Sequence, residues 1–415
     1  MTFERLPNTS TIQNRETFAL SAIYVVLAAS YFLACLLRSS SSVVLPKIAE
    51  NTLFAAGSVG FVSSLYFYGY AMVQPFAGQI CDVKGPARTC AIGMILLSSG
   101  VIIFGMSESI LGLSIGRLLM GIGAGPTFCG IMVHQAKSFS PGNYPKLTGI
   151  SMALGHIGGI AAIYPMRWGM NHLGQFRLHA LIGGLAFAAA VFLFSFKKSR
   201  EEVSKTKWAE IGRGRGFSPL YGFKLVASNT QLRKIMFLWC CEMTWLMTLV
   251  GLWGIKWMTD SLAMTGDAAA SSMSLASLGV LVGSLCAGAF GHRLVHFKHS
   301  LKFSGLLFSG AQILFVAAVY LHFGKIITYM VSLILGGLAG FINVMCNAFV
   351  HKTVGKTQVG AAIGVINTMV FCSVLGSQWV SGIIIERANM NGYMFVFILI
   401  AVLNLLAAFI LKNDL

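Results

Sequence analysis

Apolar runs of about 20 residues recur from one end of this chain to the other, each long enough to cross a hydrocarbon layer of about 30 Å as a helix. "GYMFVFILIAVLNLLAAFI", at 392–410, is one of them. In hydrocarbon a backbone must satisfy its own polar groups, which leaves helices and closed barrels. Runs of this length are helical rather than barrel-forming. The composition agrees, with 56% of the 415 residues hydrophobic and 10% charged. A soluble domain could not cover its surface with so few polar groups. The expected class is an all-α polytopic membrane protein.

Reading window by window predicts twelve spans, at 18–43, 54–76, 87–106, 110–133, 147–166, 178–196, 234–257, 269–291, 302–322, 325–349, 358–383 and 392–411. Only the stretch between the sixth and seventh is long and charged. It predicts a first unit at 1–196, a solvated linker at 197–233 and a second unit at 234–415. The "GRGRG" in that linker follows no strand and is no phosphate cradle.

The net charge of +17 does not point to nucleic acid, because lysine and arginine gather in cytoplasmic loops. With twelve crossings and both termini cytoplasmic, Lys84, Arg88, Lys137, Lys146, Arg293, Lys298, Lys302, Lys352 and Lys356 fall inside, with the basic linker. Few fall outside, among them Lys47, Arg167 and Lys256. No cleavable leader is expected, and the bias fits a bacterial cytoplasmic membrane. The nine cysteines show no metal or redox spacing and read as small apolar fillers.

The two halves repeat. A shift of 210 lays Gly69 on Gly279, Gly78 on Gly288, Asp82 on His292 and Arg88 on Lys298. Two related six-helix bundles about a membrane-normal axis are a plan used by transporters that rock around a central site. The loop "GQICDVKGPAR" at 78–88 has Gly78 for close helix approach and Gly85 for a tight turn. Its Asp82 can cap the third span and pair with a basic side chain at the cytoplasmic surface.

That spacing resembles the signature loop of the major facilitator superfamily, G-x-x-x-D-x-x-G-x-R/K, with Arg88 one position later than the motif's basic residue. The resemblance extends to Arg117, Gly121, Gly123 and Gly125 in "GRLLMGIGAG" and to "LGQFR" at 173–177. The fifth span lacks the Gly-Pro pair of the family's antiporters. The resemblance implies twelve helices in two pseudo-symmetric bundles, secondary transport, and a conformational latch at Gly78, Asp82, Gly85 and Arg88 that steadies the outward-open state. It implies proton coupling or network building for Arg117. The first span, "FLACLLRSSSSVVLPKI", resembles that of bacterial phagosomal nutrient transporters and organic-anion symporters.

Arg38 is the charge that this reading must explain. The offset maps mid-span Leu246 onto Leu36, so Arg38 lies about 3 Å from the midplane. An arginine there costs roughly 2.5–3.5 kcal/mol or more, and must face a wet cavity or a partner. An arginine snorkelling from a helix end is the alternative. Glu242 is the only acid that this reading places within a span. The expectation is that it meets Arg38 across the cleft, binding solute and carrying a proton, with a purely structural pair as the other reading. His156 is a second candidate proton carrier and cavity residue. Tyr31, Tyr66, Tyr70, Gln74, Trp245, Asn343, Asn347, Asn367 and Gln378 are the expected lining. Tyr66, Tyr70 and Gln74 share one helix face.

The expectation is a monomeric, proton-coupled importer of a small polar solute with an anionic group: an amino acid, nucleoside or organic anion. It needs no cofactor or metal beyond the proton gradient. A proton-coupled drug or metabolite exporter and a non-transporting sensor are the alternatives. No nucleophile–base pair suggests an enzyme.

Overall fold

The computed structural model describes residues 9–41, 43–45, 48, 56–162, 164–195, 220–262, 264–297, 299–388 and 390–411. They form helices, with no strand among them. The first half holds α1 (Thr9–Ser39), α2 (Ala56–Lys84), α3 (Pro86–Met106), α4 (Ile110–Ser138), α5 (Tyr144–Ala161), α6 (Tyr164–His172) and α7 (Gly174–Ser195). The short α8 (Tyr221–Ser228) leads to the second half. There follow α9 (Thr230–Thr248), α10 (Gly254–Leu262), α11 (Gly266–Leu294), α12 (Ser300–Tyr320), α13 (Lys325–Val354), α14 (Val359–Ala388) and α15 (Met390–Ile410).

Each expected span finds its helix. Among the described residues ten continuous segments, α2 not among them, are long and apolar enough to cross a membrane, and α5 with α6, bent by 43°, would make another. The seventh span runs through α9, a π-helical turn at Leu249–Trp253, and α10. Much of the linker lies outside the described residues. Its last part is not a solvated loop: α8 packs on α14, where a Cβ on Gly222 would sit 2.9 Å from the Ala361 carbonyl oxygen.

Local chemistry sets the helix ends. Ser109 accepts from the Gly112 amide at the start of α4, Thr265 from Ala268 at α11, and Asn229 from Gln231 and Leu232 at α9. Gly85 precedes Pro86 with φ of 91°, a conformation for glycine alone. Large apolar side chains such as Phe187, Phe303, Leu307 and Phe409 point outward, as a hydrocarbon-facing surface requires.

Small residues let the helices inside each bundle meet backbone to backbone. Gly121 of α4 lies against Tyr66 of α2, and Gly279 and Gly283 of α11 against Gly336 and Gly337 of α13. The bundles touch each other the same way at two seams. On one, a Cβ on Gly78 of α2 would fall 1.9 Å from the Gly360 carbonyl oxygen of α14. On the other, a Cβ on Gly149 of α5 would fall 2.7 Å from the Gly288 Cα of α11. Both seams lie toward the end of the molecule that carries the 78–88 loop.

Candidate functional site

The last turn of α1 brings Arg38 to the junction of the bundles. Its side chain is half-buried and donates no hydrogen bond to a described residue. Tyr31, Cys35, Tyr66 and Tyr70 lie within its electrostatic range, as does His156 of α5. These positions come together because α5 packs along α1, with Gly155 tight against the Tyr31 ring, and Tyr66 of α2 reaches α1 through its hydroxyl. Tyr66 donates to the Ala34 carbonyl at 2.7 Å and stacks on Tyr70, ring centroids 6.3 Å apart. Tyr70 reaches the other bundle: Asn367 donates to its hydroxyl at 3.5 Å, and its ring meets Phe371 at 5.2 Å.

A second cation supports this cluster. Arg117 of α4 is 1% exposed and donates to the Leu37 carbonyl at 2.8 Å and the Ser63 carbonyl at 3.2 Å. Its guanidinium lies 5.0 Å from the Tyr66 ring centre, a cation–π contact. Arg117 thus ties α4 to α1 and α2, and its bonded donors are held by carbonyls. Two guanidinium groups flank the end of α1, and among the described residues no carboxylate is an electrostatic neighbour of either. Physically, the place is built for negative charge.

Below it stands a second constellation. Asp82, near the end of α2, accepts from the Gly360 amide at 3.2 Å and the Ala361 amide at 2.8 Å. It therefore caps α14 in the other bundle, not the third span as its sequence position suggested. Its basic partner is Lys137 of α4, whose Nζ lies 3.7 Å from the carboxylate and donates to the Asp82 carbonyl at 2.8 Å. Arg88 is exposed and makes no ion pair with Asp82; three residues into α3, it points away from the seam. Gly78 and Gly85 have the packing and turn geometry expected of them. Gly360 and Gly364, absent from the sequence reading, complete the seam. Their G-x-x-x-G spacing is the signal that would have found them.

The family model described as Major Facilitator Superfamily matches residues 27–377. The chain belongs to the major facilitator superfamily. Its fold is that of a solved proton:xylose symporter, XylE, with a TM-score of 0.74 at 13% identity over 95% of each chain. The E. coli fucose:proton symporter FucP matches at 0.73 and 12% identity, over 95% of this chain and 100% of that one. A hexuronate transporter of Bacillus subtilis is 22% identical over 85% of each sequence. A probable sulfoacetate transporter of Cupriavidus necator is 30% identical over 25% of this chain and 24% of its own length. The MFS-type transporter gkaD of Penicillium citrinum is 30% identical over 48% and 34%. The matched stretch covers about a third or less of these last two relatives.

Several expected lining residues of this superfamily transporter lie elsewhere. Gln74 is fully buried, donating to the Gly125 carbonyl at 3.0 Å and accepting from the Cys129 thiol at 3.1 Å; it fastens α2 to α4. Trp245 is also fully buried, its ring 4.9 Å from Phe397 inside the second bundle. Glu242 is enclosed there too, at 0% exposure, and Arg38 is not among its electrostatic neighbours. The expected Arg38–Glu242 pair is not formed. The repeat offset places Glu242 at a suitable height, but one residue turns a helix by about 100°, and Glu242 faces its own bundle.

Asn347 is buried and donates to the Asn343 carbonyl at 3.0 Å, and Asn343 approaches the Met243 sulfur at 3.5 Å. Gln378 donates to the Met247 carbonyl at 3.2 Å. It belongs to a seam unread in the sequence, in which Thr244 meets Ser373, Thr248 meets Ser377, and Trp253 donates to Ser381. Four-residue spacing along α9 and α14 was its signal. Of the expected set, Arg38, Tyr31, Tyr66, Tyr70, His156 and Asn367 come together around one place.

Proposed function

We propose that this transporter carries a small organic anion into the cell by alternating access, as a proton symporter. One observation carries the reading: an arginine at the junction of two bundles, with a second arginine behind it and, among the described residues, neither a bonded partner nor an acid beside it. A charge left so in the membrane core is costly, and an anionic solute would offset that cost with charge-assisted hydrogen bonds. An amino acid, one of the solutes expected from sequence, loses its support, because Glu242 does not face Arg38 and cannot pair with the ammonium while Arg38 holds the carboxylate. Relatives named for sulfoacetate and hexuronate favour a carboxylate or sulfonate. The tyrosines and Asn367 would orient its polar groups.

In this reading the 78–88 end is cytoplasmic, by the distribution of lysine and arginine. The seams of Gly78 with Gly360 and Gly149 with Gly288 are then closed toward the cytoplasm, so the solute enters from outside. The transporter works as a monomer in a bacterial cytoplasmic membrane. Arg117, committed to carbonyls, positions α1 and carries no proton. His156 beside Arg38 and the enclosed Glu242 are the candidate proton carriers.

Counterflow in proteoliposomes tests this. Labelled hexuronate or sulfoacetate is expected to exchange, with uptake driven by an acid exterior. Arg38→Ala should lower apparent affinity by about 10- to 150-fold, the equivalent of losing bonds to a charged group. Faster exchange of an uncharged sugar than of either acid, or an unaffected Arg38→Ala variant, would sink the proposal.

A further inference from the structure

Inside the second bundle, away from Arg38, three carboxyl or amide side chains have no partner at any terminal atom among the described residues, beside the unpaired indole N–H groups of Trp239 and Trp245. Glu242 on α9, Gln312 on α12 and Asn404 on α15 are each 0% exposed. None of their six terminal polar atoms has a hydrogen-bond partner. Buried polar groups are ordinarily paired, so each such exception calls for a physical account.

They belong to one layer. Below it the three helices meet at a single point, where a Cβ on Gly305 of α12 would lie 2.9 Å from Ala408 of α15 and 3.1 Å from Leu238 of α9. Glu242 follows Leu238 by four residues, on the same face. Asn404 precedes Ala408 by four on a helix running the other way, so it lies at the same height. Gln312 follows Gly305 by seven, again on the same face. Helical side chains lean toward their own N-terminus, which brings the longer Gln312, one turn higher on its helix, down toward the level of Glu242 and Asn404. Above the layer, Trp245, Phe397, Trp257 and Phe315 form an aromatic lid, with centroid spacings from 4.6 to 5.7 Å along it.

The ligand chemistry follows from charge. The groups facing Glu242 that can titrate are Cys346 of α13 and Cys240 of its own helix. Among the described residues no cation is one of its electrostatic neighbours. An ionised carboxylate sealed in such a place must acquire one positive charge. Two carboxylate oxygens and two amide oxygens are hard donors, suited to a hard cation. A divalent ion would leave net positive charge in the core, so one monovalent charge fits.

We propose that Glu242, Gln312 and Asn404 form a closed site for a single monovalent cation, taken up as a sodium ion or as a proton on Glu242. This deepens, and rests on, the coupling part of the proposed function, with a driving-ion site separate from the solute site. It is tested by binding alone, so a protein that responds here but carries no hexuronate refutes only the transport reading.

The purified protein in detergent is unfolded thermally in sodium chloride and in choline chloride of equal strength, each at about pH 8 and at about pH 5. A sodium ion would raise the midpoint by a few degrees at the higher pH, as binding to the folded state does. A proton would instead raise it on acidification in either salt. Glu242→Gln should abolish whichever response occurs. Gln312→Leu and Asn404→Leu, which keep volume and remove a ligand oxygen, should weaken it several-fold. These two variants also decide the matter if Glu242→Gln does not fold. A wild-type midpoint indifferent to both sodium and pH overturns the proposal, as does a response that survives in Glu242→Gln. Full responses in both leucine variants would overturn it equally, leaving a carboxyl without a built site.

Discussion

Two arginines sit one helix apart in the same bundle, and their surroundings give them opposite jobs. Arg117 donates to the carbonyls of Leu37 and Ser63, which would be stranded in a dry interior without it. Each orphaned acceptor costs about 1–3 kcal/mol, so Arg117→Met should lower the unfolding midpoint by several degrees. Arg38 satisfies no backbone group among the described residues, and its removal relieves a charge left without a bonded partner there. Arg38→Ala should therefore leave the midpoint unchanged or raise it, while solute binding falls. Thermal unfolding of the two variants side by side in detergent checks this. A destabilised Arg38→Ala beside an unharmed Arg117→Met would reverse the assignment of roles.

At the scale of helices, glycine acts in two physically separate ways, and substitution distinguishes them. Gly85 has φ of 91°, and a Cβ added there would meet nothing within 4 Å, so its requirement is conformational. Gly85→Ala should cost about 1–3 kcal/mol of stability with the α2–α14 seam intact. Gly360 is helical, but its Cβ would lie 2.3 Å from the Gly78 carbonyl oxygen. Gly360→Ala should preserve the fold and part the bundles. Unfolding midpoints together with spin-label distances across the seam separate the two outcomes; equal effects of both substitutions on the seam would contradict this division. The same distinction explains what could be read in advance. Long apolar runs announce helices with good boundaries, and the 78–88 spacing announces a turn and a close approach, because these are properties of neighbouring residues. Which way a helix is rotated depends on what packs beside it. Periodicity therefore puts Gln74, Trp245 and Glu242 on the right spans and the wrong faces. The partner of Asp82 was legible only as a basic group nearby; that Asp82 caps a helix some 280 residues away needed the assembled bundles.

For the whole molecule, the internal repeat becomes a pair of related gates. Gly78 of α2 meets Gly360 of α14, and its repeat partner Gly288 of α11 meets Gly149 of α5, whose own counterpart under nearly the same shift is Gly360. The halves have exchanged roles about a two-fold axis, and both seams close the same end. Their chemistry differs. Where the first seam has Asp82 bonded to two amides of the opposing bundle, the second has His292, whose ring would lie 3.1 Å from a Cβ on Gly142 without any such cap. If each bundle moves as a rigid body, the seams must open together although only one is held by charge-assisted bonds. Asp82→Ala should then favour the state open at this end by roughly 2 kcal/mol, or about 30-fold, and lengthen label distances across both α2–α14 and α5–α11. His292→Ala should change neither distance distribution appreciably. Lengthening across α2–α14 alone would mean that the helices bend singly, and rocking of whole bundles about the Arg38 junction would not describe this transporter.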